Sequence, residues 1–308
     1  MKWTRTLTMI WTCAALLGGA FAGDSAWAQG GFTLCWGWNA TNQVAPVPLD
    51  VVSNASSIAA GYLHSLAVKN GAVWTWGDKR NGLTNVPAAA LSGVTNVTGG
   101  DDFILALKTD GSVVAWGAPN IVTNMPAGAT SGVSQVAAGE SHALVLKSGG
   151  VLAWGSNTFG QCSVPAALTS GVSAVAGGAY YSLALKNGGV QVFGISATND
   201  LEYGIRDVPA AATSGVTAIA AGKWHALALK DGGVIAWGAS DGTNSFFDAT
   251  VVPDDATNNV VAIAAGDLFS LALKIDGTLV AWGDDTKGQH PVPAYATTGI
   301  TPIAAGAG

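Results

Sequence analysis

The chain has 308 residues, of which 49% are hydrophobic and only 10% charged, with 42 glycines. That balance suits a turn-rich β protein with a sizeable core and excludes a disordered chain. With 13 basic against 19 acidic side chains and a net charge of −6, no basic stripe exists to neutralise phosphates, which excludes nucleic-acid binding.

Residues 1–28 read as a secretory signal, with Lys2 and Arg5 ahead of an apolar run from Leu7 to Ala22 and a small-x-small site at Ala26-Trp27-Ala28. The run holds about 16 residues where a membrane span needs about 20. Cys13 lacks the small residues just before it that a lipoprotein signal carries. Cleavage after Ala28 removes Lys2, Arg5 and Asp24 and leaves a net charge of −7 on a secreted or periplasmic chain with no membrane span. Cys35 and Cys162 remain, far apart and in different contexts, so two free thiols are expected rather than a bridge.

From residue 29 onward a single domain is expected, built from one repeated unit. A Trp-Gly pair, or its Phe193 equivalent, falls at Trp36, Trp76, Trp116, Trp154, Phe193, Trp237 and Trp282, spaced by 40, 40, 38, 39, 44 and 45 residues. A second marker, the glycine ending an apolar run, falls at Gly61, Gly100, Gly139, Gly178, Gly222, Gly266 and Gly306. Within each unit the pattern predicts an inner strand such as 216–221, a middle strand such as 225–230 and an outer strand such as 234–238. A loose segment follows through Val-Pro. Asn-Gly, Asp-Gly or Ser-Gly pairs, at 70–71, 110–111, 148–149, 187–188, 231–232 and 276–277, predict two-residue hairpin turns between middle and outer strands. Repeats of about 40 residues with three to four strands are β-propeller blades. The fold expected is therefore all-β, a seven-bladed β-propeller of three- to four-stranded blades.

The seventh blade is expected to be shared between the ends, with an outer strand from 32–37 and an inner strand from 301–306. Its middle strand is absent after Gly306, so the blade reads as incomplete and about ten residues are expected past Gly308. The Trp of Trp-Gly, and Trp74 two residues before Trp76, read as packing. His64, His142 and His225 recur at one position, where Phe103, Tyr181 and Phe269 substitute. A metal ligand or catalytic base would not be replaced by Phe, so these histidines read as structural, pinning a loop. No Ser-His-Asp, paired-acid or metal spacing recurs, so neither an enzyme, a cofactor nor a metal is expected. Asp101-Asp102, Asp254-Asp255 and Asp284-Asp285 read as solvated loop acids.

Variation gathers on one face, at the two residues after each marker glycine and in the loop after each Trp-Gly. The candidate protein-binding residues there are Trp38, Asn39, Tyr62, Leu63, Asp78, Arg80, Asp102, Phe159, Tyr180, Tyr203, Arg206, Trp224, Phe246, Phe247 and Leu268. Tyr203 and Arg206 belong to one insertion, Phe246 and Phe247 to another. Aromatic side chains on a rigid rim beside Asp, Arg and Lys have the composition of a protein-binding hot spot. Lys223-Trp224 is the pair on which functional interest centres.

The unit Ala220-Ala221-Gly222-Lys223-Trp224-His225-Ala226-Leu227-Ala228-Leu229, followed by Asp231-Gly232 and Trp237-Gly238, resembles the regulator-of-chromosome-condensation propellers. Segments 164–172, 208–222 and 227–238 are similar to the secreted type II β-lactamase inhibitory proteins. That resemblance implies a seven-bladed propeller that covers the active-site rim of a class A β-lactamase with aromatic and acidic residues. It carries over to Tyr180 and Trp224, whereas Leu63, Asp102, Ser141 and Leu268 depart from the pattern. A monomer that binds a protein partner is expected, with a class A β-lactamase or related penicillin-recognising enzyme as the specific target. The alternative is an extracellular or cell-surface propeller recognising another protein or a glycan without inhibition.

Overall fold

The computed structural model describes Cys35, Asn39 and residues 41–43, 47–48, 54–195, 203–238, 248–289, 291–292 and 303–306. The expected leader, Trp38, Phe246 and Phe247 lie outside the described residues. Six three-stranded antiparallel sheets follow one another, each ordered inner, middle, outer. The inner strands are β1 (Ser57–Ala60), β4 (Val94–Gly99), β7 (Val133–Ala138), β10 (Val172–Gly177), β13 (Val216–Ala221) and β16 (Val260–Ala265). The middle strands are β2 (His64–Lys69), β5 (Phe103–Lys108), β8 (His142–Lys147), β11 (Tyr181–Lys186), β14 (His225–Lys230) and β17 (Phe269–Lys274). The outer strands are β3 (Ala72–Gly77), β6 (Val113–Gly117), β9 (Gly150–Gly155), β12 (Gly189–Gly194), β15 (Gly233–Gly238) and β18 (Leu279–Gly283).

The middle strands are buried on both faces, which explains their alternation of large and small residues. Leu66 and Val68 of β2 pack against Ile104 and Ala106 of β5. Phe103, Leu105 and Leu107 of β5 pack against Ala143 and Val145 of β8. The core is thus a set of layers between neighbouring sheets. Each fully buried middle-strand leucine, such as Leu66, Leu105 or Leu144, contributes on the order of 2 kcal/mol.

The Trp of Trp-Gly locks one sheet to the next, as its recurrence predicts. The indole Nε1 of Trp116, Trp154 and Trp282 donates to the carbonyls of Leu83, Ile121 and Ala249, each at 3.0 Å, and that of Trp237 to Ile205 at 2.9 Å. Each acceptor lies in the loop that follows the preceding outer strand. Trp74 is half-buried against Cys35, Ala55, Ile58 and Trp76. Neither Cys35 nor Cys162 is in a disulfide.

The histidines pin across sheets rather than within one. His142 Nε2 lies 2.9 Å from Ser182 Oγ, and His225 Nε2 lies 2.9 Å from Ser270 Oγ, in each case a serine of the next middle strand. Those serines donate onward to the carbonyls of Gln161 and Ala249. In β5 the position of that serine is taken by Ile104, and neither ring nitrogen of His64 has a hydrogen-bond partner.

The turns divide into two kinds. Asn70-Gly71, Ser148-Gly149, Asn187-Gly188 and Asp231-Gly232 have positive φ at both positions, the two-residue hairpin turn expected. The turns at Asp110-Gly111 and Asp276-Gly277 do not follow that expectation. An extra residue, Thr109 or Ile275, lengthens each, and only the glycine takes positive φ, 75° at Gly111 and 81° at Gly277.

The marker glycines draw the inner ends of the sheets together. A Cβ on Gly61 would lie 2.4 Å from the carbonyl oxygen of Gly100, and one on Gly266 would lie 2.5 Å from that of Gly306. A Cβ on Gly306 would in turn lie 2.8 Å from the Gly61 oxygen. Only glycine permits this approach. Residues 303–306 therefore sit between the sixth sheet and the first. Cys35 and Ala304 also share one apolar cluster with Trp76.

Candidate protein-binding site

The six inner strands and residues 303–306 line a channel of about 410 Å³. At one end its mouth is formed by the first residue after each marker glycine: Tyr62, Asp101, Glu140, Ala179, Lys223 and Asp267. The second residue of each pair, Leu63, Asp102, Ser141, Tyr180, Trp224 or Leu268, stands outside this lining.

Main-chain bonds hold this end rigid. Tyr62 N–H donates to the Gly100 carbonyl, Asp101 to Glu140, Glu140 to Gly178, Ala179 to Lys223 and Lys223 to Gly266. The second residues bond the other way, their carbonyls accepting from the start of the post-Trp-Gly loop. Asp78 donates to Leu63, Ala118 to Asp102, Ser156 to Ser141, Ile195 to Tyr180 and Asp284 to Leu268. Step and loop are therefore one unit in each blade. A buried glutamine stiffens three of these loops: Gln43, Gln161 and Gln289 accept from the backbone N–H two residues earlier, at Thr41, Phe159 and Lys287.

Four of the sequence-predicted residues meet in a row. Phe159 and Tyr180 rings lie 4.5 Å apart, Tyr180 and Trp224 5.2 Å, and Tyr203 and Trp224 4.9 Å. The row crosses from the third unit to the fifth, and each ring is half-buried. The last two contacts are edge-to-face, a preferred aromatic geometry. Arg206 flanks the row, its guanidinium donating to the Ile195 carbonyl at 3.0 Å.

The other candidates are dispersed. Tyr62 lines the mouth, and Leu63, Leu268 and Asn39 are half-buried. Asp102 accepts from Asn81 Nδ2 at 2.7 Å on the exposed rim. Asp78 is buried beneath exposed Arg80 and paired with it. Burial alone would raise the Asp78 carboxyl, but hydrogen bonds and charge from Arg80 hold it below the usual carboxylate value. Its role in the structure is to fix the loop.

The mouth itself carries a charge cluster that sequence reasoning missed. Lys223 Nζ lies 4.0 Å from both Glu140 Oε2 and Asp267 Oδ2, and 5.4 Å from the centre of the Tyr62 ring. Burial pushes Asp101 up to about 7, aided by the charge of Glu140. Burial likewise pushes Asp267 up to about 6, again aided by Glu140 against the opposing charge of Lys223. Burial works against the Lys223 ammonium, but Asp267, Glu140, Tyr62 and Asp101 outweigh it and raise its value. Asp101 is thus no solvated loop acid. The available signal was positional, because the first residue after each glycine is charged in four units. Among the described residues no group of three or more His, Cys, Asp or Glu side chains could hold a metal.

The sheets are similar in fold to the β-propellers of the regulator-of-chromosome-condensation type. A family model described as "Regulator of chromosome condensation (RCC1) repeat" matches residues 133–161 and 260–289. A particular likeness is to Prp20p from Saccharomyces cerevisiae, at 18% identity and a TM-score of 0.63 over 98% of this chain and 91% of that one. That structure was described together with binding to Gsp1p and histones. Human WBSCR16 is similar at 17% identity, with a TM-score of 0.63 over 96% and 97%. The ectodomain of the Arabidopsis thaliana receptor kinase ACR4 is similar at 22% identity, with a TM-score of 0.62 over 82% and 90%. No curated protein matches the chain. No helix among the described residues is long and apolar enough to cross a membrane.

Proposed function

We propose that this chain is an exported, non-enzymatic propeller that binds a protein partner with the face carrying the channel mouth. The observation that carries this reading is the Phe159–Tyr180–Trp224–Tyr203 row, contributed by separate units and joined ring to ring. Large aromatics on a rigid frame supply contact area at little ordering cost, as binding hot spots require. Seven-blade closure completes the frame, with 303–306 as the inner segment of a blade to which the segment around Cys35 also contributes. The shared cluster of Cys35 and Ala304 supports that pairing.

The specific target is a class A β-lactamase, a choice resting on the resemblance of segments 164–172, 208–222 and 227–238. Mature protein is expected to lower the rate or raise the apparent KM of a class A enzyme in a panel assay, and Trp224→Ala to weaken the effect. No inhibition at micromolar concentration across the panel would remove that target. Binding of another protein that is likewise lost in Trp224→Ala would retain the face as its site.

A further inference from the structure

We propose that the channel mouth is a seat for a basic side chain of the protein partner, a lysine or arginine that enters beside Lys223 while the surrounding partner surface covers the aromatic row. This rests on the protein-binding reading above and names the chemistry of the partner. Asp101, Glu140 and Asp267 converge on the mouth from three different units, and among the described residues the ammonium of Lys223 sits between Glu140 and Asp267, with Lys287 acting on Asp267 alone. Lys223 stands 4.0 Å from two of the carboxylates, beyond direct hydrogen-bonding distance. The chain's own ammonium therefore marks the position as suited to a cation, and three carboxylates against the two ammonium groups of Lys223 and Lys287 leave negative charge over.

The surroundings favour a cation on a protein over a free metal ion. Tyr62 presents its ring face to the Lys223 ammonium, an arrangement that suits organic cations. Trp224 follows Lys223 directly in sequence, so the seat adjoins the aromatic row. A basic partner residue would find carboxylates in the mouth and apolar rings beside it, the mixture that central interface arginines occupy.

Occupancy is linked to protons. Asp101 faces Glu140, Lys223, Asp267 and Asp102, and Asp267 faces Lys223, Glu140, Lys287 and Asp284. An entering cation favours the ionised carboxylates, so below pH 7 binding must release protons that Asp101 and Asp267 hold in the free protein. Affinity therefore rises with pH between 5.5 and 8.

The test is a calorimetric titration of the full chain with N-acetyl-arginine amide, and with N-acetyl-citrulline amide as the neutral analogue. The arginine compound is expected to bind at pH 8 in the millimolar range, about tenfold more weakly at pH 5.5, and the citrulline compound not to bind. The Asp101→Asn/Asp267→Asn double variant is expected to lose binding, while Lys223→Met, which removes the competing ammonium, is expected to bind more tightly. Equal binding of both compounds, no binding of arginine at pH 8, or undiminished binding by the double variant overturns the proposal. A protein partner whose affinity falls in Trp224→Ala but not in the double variant would leave the protein-binding reading standing and sink this one.

Discussion

The two ends of the sheets are built from the same strands and differ in what they repeat. At the turn end, four hairpins share the same pair of positive φ values, and each middle strand closes on a lysine. Lys147 and Lys230 there donate to carbonyls of the adjoining loose segment, at Gly128 and Ala211. At the channel-mouth end the backbone is as regular, but hardly a side chain repeats. Uniform side chains mark positions that the fold itself consumes. Variation over an invariant backbone marks positions the fold leaves open, and there binding chemistry can be placed without cost to folding.

This contrast can be broken most forcefully within the framework. Trp154→Ala removes a buried indole and its bond to Ile121, and is expected to cost about 3–5 kcal/mol in urea or thermal unfolding. A loss under about 1 kcal/mol would mean that the blade-to-blade indole is not structural.

Acid probes the same framework through the histidines. Burial lowers His64, His142 and His225 to about 4 from an ordinary value of 6.5. The unfolded chain therefore binds more protons between pH 6.5 and 4. The stability that the neutral rings contribute is full above pH 6.5 and falls by about 1.4 kcal/mol per histidine per pH unit through that window. Asp101 and Asp267 oppose this, because their raised values stabilise the fold as pH drops below about 7 and 6. His142→Phe isolates one histidine: its urea midpoint is expected to vary less steeply than that of the native chain between pH 6.5 and 4.5. Parallel profiles would refute the assignment.

On the variable face the expectations reverse. Trp224→Ala is expected to weaken partner binding by about 2 kcal/mol, roughly thirtyfold, while shifting stability by no more than about 1 kcal/mol. The opposite pattern, lost stability with retained binding, would make the row a piece of core. The smallest effect lies at the unmatched histidine. Ile104→Ser restores the serine that His142 and His225 enjoy, so it is expected to be about 1 kcal/mol more stable than Ile104→Ala. His64→Phe should abolish that difference.

The framework was legible because its constraints recur. Trp-Gly and the marker glycines appear at a near-constant period, and each is imposed by a contact with the neighbouring unit. The extra residue at Thr109 and Ile275 was harder to weigh, since Asp-Gly reads alike in a two-residue turn and a longer one. The serine partners of His142 and His225 were hidden because they lie 40 and 45 residues away, in the next unit. On the rim, the sequence placed aromatics on one face, and the structure brings four of them together. Tyr180 and Trp224 stood out as aromatics, and their contact with Phe159 and Tyr203 is a product of the ring. Asp101 read as a solvated loop acid, and Glu140 and Asp267 were not singled out, because nothing local indicates that consecutive residues after the glycine turn to the channel and to the rim.

The backbone of each step at the mouth is tied down through its peptide groups. Tyr62, Asp101, Glu140, Ala179 and Lys223 donate through their N–H, and Leu63, Asp102, Ser141, Tyr180 and Leu268 accept through their C=O. No side chain at these ten sites is needed to keep its own backbone in place. Selection can therefore rewrite the mouth one letter at a time, each substitution being judged by the partner and not by the fold. Such a surface can change allegiance quickly while its scaffold stays still.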